Sequence, residues 1–456
     1  MTQNTNHNRI LLVGYHFPPS VAVGGHRIAG FARHLKEFGW IPHVLTIRER
    51  HIEKKDPGTL NGLGDLPIFR TGVIPDVTDA YLKIKVLHHR LKNRRKVTRR
   101  ELEEAYALSH SSNEGNRVKK NVLKHNLLAL LVTLPDKERG WILPAVYRAA
   151  KIMRRNQYHC ILTTSPPYSV HIIGYILKTF FKVGWVVDFR DPWMTPSGKR
   201  LYPTTPLSNA IESEIERRVI NKADLVLSNT ELLKEKLVSK YRDISEKKFI
   251  CLPNGFEKND FKELNDIEKY KKFTISYTGT LYLGRSPEPV FRALNELAKK
   301  EGYDIEKIQL LLVGNCRLIN GRRISDLVSS YGLESTVEVR DPVSHKQAME
   351  IIQKSHLALL LAPDQPFQIP GKAFEYIGAN AKILAIAGKG STADLITKNN
   401  FGEVFNSYDI DGIKRFIKKE IQKPNHDVIK AKNSLSIKFS HKYLSKQLAD
   451  HLTSKF

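Results

Sequence analysis

Lys372 and Glu375 stand three residues apart, just after Pro366 and Pro370 and just before Gly378 and Asn380. The prolines stop a preceding strand and open a short helix, because a fixed φ suits a first helical turn. The glycine and asparagine then end it. A spacing of three puts the cation and the carboxylate on one helix face near its amino end. Lys382–Ala387 reads as a buried strand, and Gly388-Lys389-Gly390-Ser391 leads into a second helix from about Thr392. Two helix amino-termini therefore fall close together. Their N–H groups and dipoles attract anions, and a carboxylate accepts hydrogen bonds from a sugar diol. A ligand with phosphate at one end and ribose at the other fits this pattern. So does an ordinary βαβ connection in which Lys372 and Glu375 merely form a surface ion pair.

Three further loops carry side chains able to do chemistry. An apolar strand delivers Asp188-Phe189-Arg190-Asp191-Pro192-Trp193 at its carboxyl end. Asp188 and Arg190 can pair and fix that loop, leaving Asp191 to hydrogen-bond the hydroxyls of a sugar; an entirely structural network is the alternative. The first loop, Gly14 to His26, contains His16 and the pair Gly24-Gly25, whose bare backbone lets a ligand approach. It lacks the G-x-G-x-x-G spacing of dinucleotide sites. The third loop, Gly279-Thr280 to Arg285, offers a guanidinium suited to bidentate phosphate binding. No His/Cys cluster has metal-ligand spacing, and the literal Asp409-Ile410-Asp411 reads as part of a carboxy-terminal loop. No Gly-x-Ser-x-Gly elbow is present.

These loops need a scaffold of parallel strands. Predicted strands begin near Ile10, Ile41, His159, Trp185 and Ala223, then near Phe273, Ile308, Thr336, Leu357 and Lys382, with helices such as His26–Phe38 between them. That alternation implies parallel sheets, and two series in tandem imply two Rossmann-like domains. The expected division is residues 1–252, a linker at 253–272, residues 273–425, and a helical tail at 426–456 crossing back to the first domain. A charged, largely helical insertion is expected at 76–130.

The chain has 456 residues, 41% hydrophobic, enough for two ordinary domains. Cys160, Cys251 and Cys316 are odd in number and far apart, which suggests no disulfide framework. The polar amino-terminus carries no signal-peptide core, and the apolar run Leu127–Val132 is too short to span a bilayer, so a cytoplasmic location is expected. The net charge of +26 calls for an acidic partner. Residues 83–124 hold thirteen Lys/Arg against four Glu and precede an apolar stretch, a pattern that reads as a membrane-surface element or as a solvated insertion.

Lys372-x-x-Glu375-Tyr376 with its small-residue helix end and glycine loop resembles the nucleotide-sugar site of retaining, family-4 glycosyltransferases of the GT-B fold. Asn254-Gly255-Phe256-Glu257 through Phe261 resembles their interdomain crossing, and Asp-x-Arg-Asp-x-Trp marks one subgroup. Phe367 stands where many members have a second glutamate, and Thr280 where many have an arginine; Arg285 takes a lysine's place. The resemblance implies an α/β fold of two Rossmann-like domains facing a cleft. It also implies sugar transfer from a nucleotide-sugar, a substrate and not a cofactor, with retention and without metal. The acceptor would be a cell-surface glycan or a lipid-linked molecule, as in polysaccharide biosynthesis. Arg285, Lys372 and Asp191 would serve catalysis. Gly279, Thr280, Glu375, Gly388, Gly390 and Ser391 would bind the donor; Gly24, Gly25, His16 and Arg190 would form an acceptor or phosphate loop. An anionic membrane surface at the inner face is a further expected partner, and nucleic acid is not. A nucleotide-sugar epimerase of the same fold and a basic nucleic-acid-binding protein are the alternatives.

Overall fold

A computed structural model describes residues 8–75, 134–194, 205–261, 267–282, 284–363, 365–423 and 433–456. The charged insertion expected at 76–130 lies outside the described residues. The chain divides into two compact units. The first comprises Met1–Asn229, Leu233–Leu252 and Ser445–Phe456; the second comprises Thr230–Leu232 and Pro253–Leu444. Each is built on a sheet of parallel strands.

In the first unit the strands are β1 (Asn8–Val13), β2 (Trp40–Ile47), β3 (Ile68–Thr71), β4 (Cys160–Ser165), β5 (Gly184–Phe189), β6 (Leu225–Ser228) and β7 (Phe249–Cys251). They lie in the order β3-β2-β1-β4-β5-β6-β7, all parallel. The order reverses between β1 and β4, and ligands of such sheets bind beyond the strand ends at that reversal. The loops after β1 and β4 are therefore the ones to inspect. All four tryptophans of the chain, Trp40, Trp141, Trp185 and Trp193, are buried in this unit. Some of its helices start on side-chain caps. Thr205 and Ser208 form a reciprocal capping box ahead of Pro206–Lys222. Buried Asp136 accepts from the N–H of Ser169 at 2.8 Å and of Glu138 at 3.1 Å, so one carboxylate serves two helix starts.

The second unit has β8 (Phe273–Thr280), β9 (Ile308–Asn315), the hairpin β10 (Leu318–Ile319) and β11 (Arg322–Arg323), β12 (Val337–Arg340), β13 (Leu357–Ala362), β14 (Lys382–Ala387) and β15 (Gly402–Phe405). Its main sheet runs β12-β9-β8-β13-β14-β15, all parallel, and reverses between β8 and β13. β13 is buried at every position because alternate side chains enter two cores. Leu357, Leu359 and Leu361 meet Phe291 and Phe416 on one face; Ala358 and Leu360 meet Phe374 and Ile377 on the other.

Two local expectations are corrected. The predicted helix His26–Phe38 is α-helical only over His26–His34 and tightens to a 3₁₀ turn at Leu35–Phe38, closed by Gly39 at φ +82°. Asp409-Ile410-Asp411 does not lie in a loop. Asp409 caps the helix Ile410–Ile421 by accepting from Gly412 N–H at 2.9 Å, and Asp411 pairs with Lys414 at 3.0 Å. The last helix is His441–Lys455. From Ser445 onward it belongs to the first unit, where Leu448, Ala449 and Leu452 are buried and Thr453 Oγ1 accepts from Trp40 Nε1 at 3.1 Å.

Candidate active site

In the second unit the site grows from the end of β8. Gly279 has φ +148°, a conformation that favours glycine, and a Cβ there would lie 2.5 Å from Lys372 Cε and 2.8 Å from its Nζ. Lys372 is thus laid across bare backbone, from the first turn of the helix Gly371–Gly378. Glu375 follows one turn later. Among the described residues no salt bridge joins the two, so the surface ion pair weighed from sequence is not formed. The charge of Glu375 acts instead on His345, whose pKa is raised first by its 3.1 Å hydrogen bond with Asp260.

Thr280 accepts from Asn315 Nδ2 at 3.3 Å through its hydroxyl and from Tyr277 Oη at 2.9 Å through its carbonyl. Arg285 lies over the Tyr282 ring at 4.5 Å and reaches Gln365 Oε1 at 3.5 Å. Next to Gln365, the carbonyl of Pro366 accepts from Ser391 N–H at 2.8 Å. That N–H, expected to serve a phosphate, is therefore occupied. Ser391 Oγ is buried without a hydrogen-bond partner among the described residues, and the position a Cβ of Gly388 would take is open. Gly279 thus meets Lys372, while Arg285 reaches the Gly390-Ser391 turn through Gln365 and Pro366.

The first unit gathers a second group. Arg190 does not pair with Asp188 in the manner expected. Asp188 is held by Arg27 through two 3.0 Å hydrogen bonds and by Thr164 Oγ1 at 2.8 Å, with Arg27 and Asp188 both buried. Arg27 wins because it projects from the helix opened by Gly25, along a face otherwise made of Ile28 and Phe31. Its place inside that apolar pattern was the signal sequence reasoning passed over. Arg190 turns the other way: Nε donates to Ser165 O at 3.0 Å and Nη2 to Pro166 O at 2.6 Å. Its own carbonyl accepts from Asn229 Nδ2.

A Cβ on Gly24 would lie 2.9 Å from Arg190 Nη1 and 3.1 Å from His16 Cδ2, so these three meet. Gly25 packs on the Phe17 backbone. Burial first, then the charges of Arg190 and Lys137, push the His16 pKa down to about 4. Asp191 is half-buried, and its charge adds to burial in raising the Tyr168 phenol, which stacks on Trp193 at 4.8 Å. Among the described residues no three His, Cys, Asp or Glu side chains gather as metal ligands would. None of their helices is long and apolar enough to cross a membrane.

Residues 106–259 match the model of Glycosyltransferase Family 4. The fold matches solved glycosyltransferases over nearly the whole chain. A glycosyltransferase from Rickettsia africae shares 13% identity at a TM-score of 0.60, covering 98% of each chain. HepE from Anabaena, solved with UDP and glucose, shares 13% at 0.61, covering 98% of this chain and 100% of its own. WaaG, a glycosyltransferase involved in lipopolysaccharide biosynthesis, shares 11% at 0.56, covering 97% and 99%. No curated protein matches by sequence. Two parallel α/β units of this kind define the GT-B architecture, and the chain is a glycosyltransferase.

Proposed function

We propose that the chain moves a sugar from a nucleotide-sugar, bound in the second unit, to a glycan or lipid-linked acceptor bound by the first. One observation carries this reading: Lys372 crosses Gly279 at the sheet's reversal point, with Glu375 one turn on and no salt bridge between them. A cation over open backbone suits a diphosphate, and a carboxylate free of the lysine suits a ribose diol. The solved complexes of HepE with UDP and with UDP-glucose favour a donor of that class, and the role of WaaG in lipopolysaccharide favours a glycan acceptor.

In this reading Lys372 and Arg285 meet the negative charge that grows on the diphosphate as the glycosidic bond breaks. Preorganised cations of this kind lower the barrier without a metal ion. Thr280, Gly388, Gly390 and Ser391 line the donor's phosphates. Asp191 orients acceptor hydroxyls. The resemblance to family 4 favours retention of configuration, with a donor phosphate oxygen taking the acceptor proton. Attachment to an anionic membrane surface, at the inner face of the membrane, completes the proposal.

The test is donor binding followed by calorimetry across UDP-, GDP-, dTDP- and ADP-sugars, with product NMR for the anomeric centre. Lys372→Ala and Glu375→Ala should each weaken the preferred donor by on the order of tenfold to a hundredfold, the worth of a charge-assisted hydrogen bond. Unchanged affinity in both variants overturns the site, and inversion at the anomeric carbon overturns the stereochemistry.

A further inference from the structure

We propose that Tyr277 is a positioning residue of the second unit: its buried phenol holds the guanidinium of Arg285 in place without neutralising it. The inference rests on the functional reading above, in which Arg285 meets a diphosphate, and adds the group by which this chain sets that cation. Tyr277 lies on β8, two residues before Gly279, and is 1% exposed. Its ring belongs to the core that contains Leu281, Val290, Phe291 and Leu312, a place a phenylalanine would fill as well. The hydroxyl is therefore the part that needs a reason, since a buried phenol oxygen is costly unless it is hydrogen-bonded.

A phenol has one proton to give and lone pairs that accept. The proton of Tyr277 goes to the carbonyl of Thr280 at 2.9 Å. The lone pairs are left for a donor. The oxygen lies 3.5 Å from the point that a Cβ on Gly279 would occupy, the same point that Lys372 crosses. Arg285 is the donor within reach. Burial pushes the phenol's pKa up, and Arg285 pulls it back by its charge and by a hydrogen bond.

The other contacts of Arg285 are the face of the Tyr282 ring at 4.5 Å and Gln365 Oε1 at 3.5 Å. Ring, amide and phenol are all neutral, and no carboxylate pairs with Arg285 among the described residues. That choice of partners has a consequence for an anion. A carboxylate would grip the guanidinium harder but cancel the charge that a diphosphate must find, whereas a phenol orients the fork and leaves the charge whole. Tyr282 is 42% exposed, so its ring is free to shift. Tyr277 is fixed in the core, and the Thr280 carbonyl fixes the direction of its proton. The phenol is thus the rigid one of the two rings that meet Arg285.

Inorganic pyrophosphate is the probe, titrated by calorimetry into the full chain. Tyr277→Phe removes the hydroxyl, keeps the ring, and should weaken pyrophosphate roughly fivefold to tenfold while the melting transition stays cooperative. In an Arg285→Gln background the same substitution should change affinity by less than about twofold, because the group it positions is gone. Asn315→Ala, which frees the Thr280 hydroxyl and leaves the phenol in place, should also cost less than about twofold. Equal affinity in wild type and Tyr277→Phe overturns the proposal. So does an undiminished loss in the Arg285→Gln background. An equal loss in Asn315→Ala overturns it too, since the phenol would then only tie down the loop. Lys372→Ala reports on the donor site separately. If it and Arg285→Gln both bind pyrophosphate as the wild type does, the donor site falls and the role of Tyr277 with it. A loss in those two with none in Tyr277→Phe removes the role of Tyr277 alone.

Discussion

Two histidines, His16 half-buried and His171 buried, make the first unit sensitive to acid at the level of single residues. His16 has its pKa lowered to about 4 and His171 to about 3, both first by burial and then by Arg190. Unfolded, each returns to the ordinary 6.5. Between these limits the unfolded chain binds more protons than the folded one, so stability falls as pH falls. The loss begins below about pH 6.5 and is complete for each group only below its folded value. From pH 8 to pH 5 each histidine should remove about 2 kcal/mol. His16→Gln should recover its share of the drop, and His171→Gln likewise, since an amide can keep the 2.9 Å bond to Thr163 Oγ1. Urea unfolding at the two pH values is the measurement. A variant with the wild-type pH dependence shows that its histidine does not titrate as described.

At the scale of elements, the strands and their order of appearance were legible because apolar runs alternate with helical periods. β3, β7 and β15 were not: each is only three or four residues long, too short for a period to show, and most of their positions are half-buried. The Gly279–Arg285 loop and the helix Gly371–Gly378 were legible as a turn and a helix from proline and glycine placement. The Arg27–Asp188 pair was not, because the partners stand 161 residues apart and only the sheet brings them together. The helix Ser169–Phe180 illustrates the same limit. A Cβ on Gly174 would lie 2.4 Å from Trp185 Nε1, a contact no sequence pattern announces. That indole nitrogen donates to Thr163 Oγ1 at 3.0 Å, and Thr163 in turn holds His171. Gly174→Ala should gain about 1 kcal/mol in helix propensity and lose roughly 2–3 kcal/mol to overpacking. A net fall in unfolding free energy, with a perturbed Trp185 fluorescence, is expected. A more stable variant would mean that Trp185 can move aside at little cost.

For the whole molecule, the surplus of 26 positive charges is far more than a diphosphate site uses, and sequence concentrates much of it in residues 83–124. Thirteen Lys/Arg in that stretch, followed by an apolar run, match what an anionic bilayer attracts. Each basic residue near such a surface contributes about 1 kcal/mol, and the contribution of the five at Arg94, Arg95, Lys96, Arg99 and Arg100 falls as salt screens it. The chain should therefore sediment with vesicles containing anionic lipid, stay in solution with neutral ones, and come off as salt rises past the physiological range. Replacing those five residues with Gln should abolish sedimentation while leaving nucleotide-sugar affinity intact, since Lys372 and Glu375 lie far along the sequence in the other unit. Equal sedimentation of wild type and variant would assign the charge another role. Equal loss of donor binding would instead mean that the five substitutions damaged the fold, a result that circular dichroism on the same samples would expose.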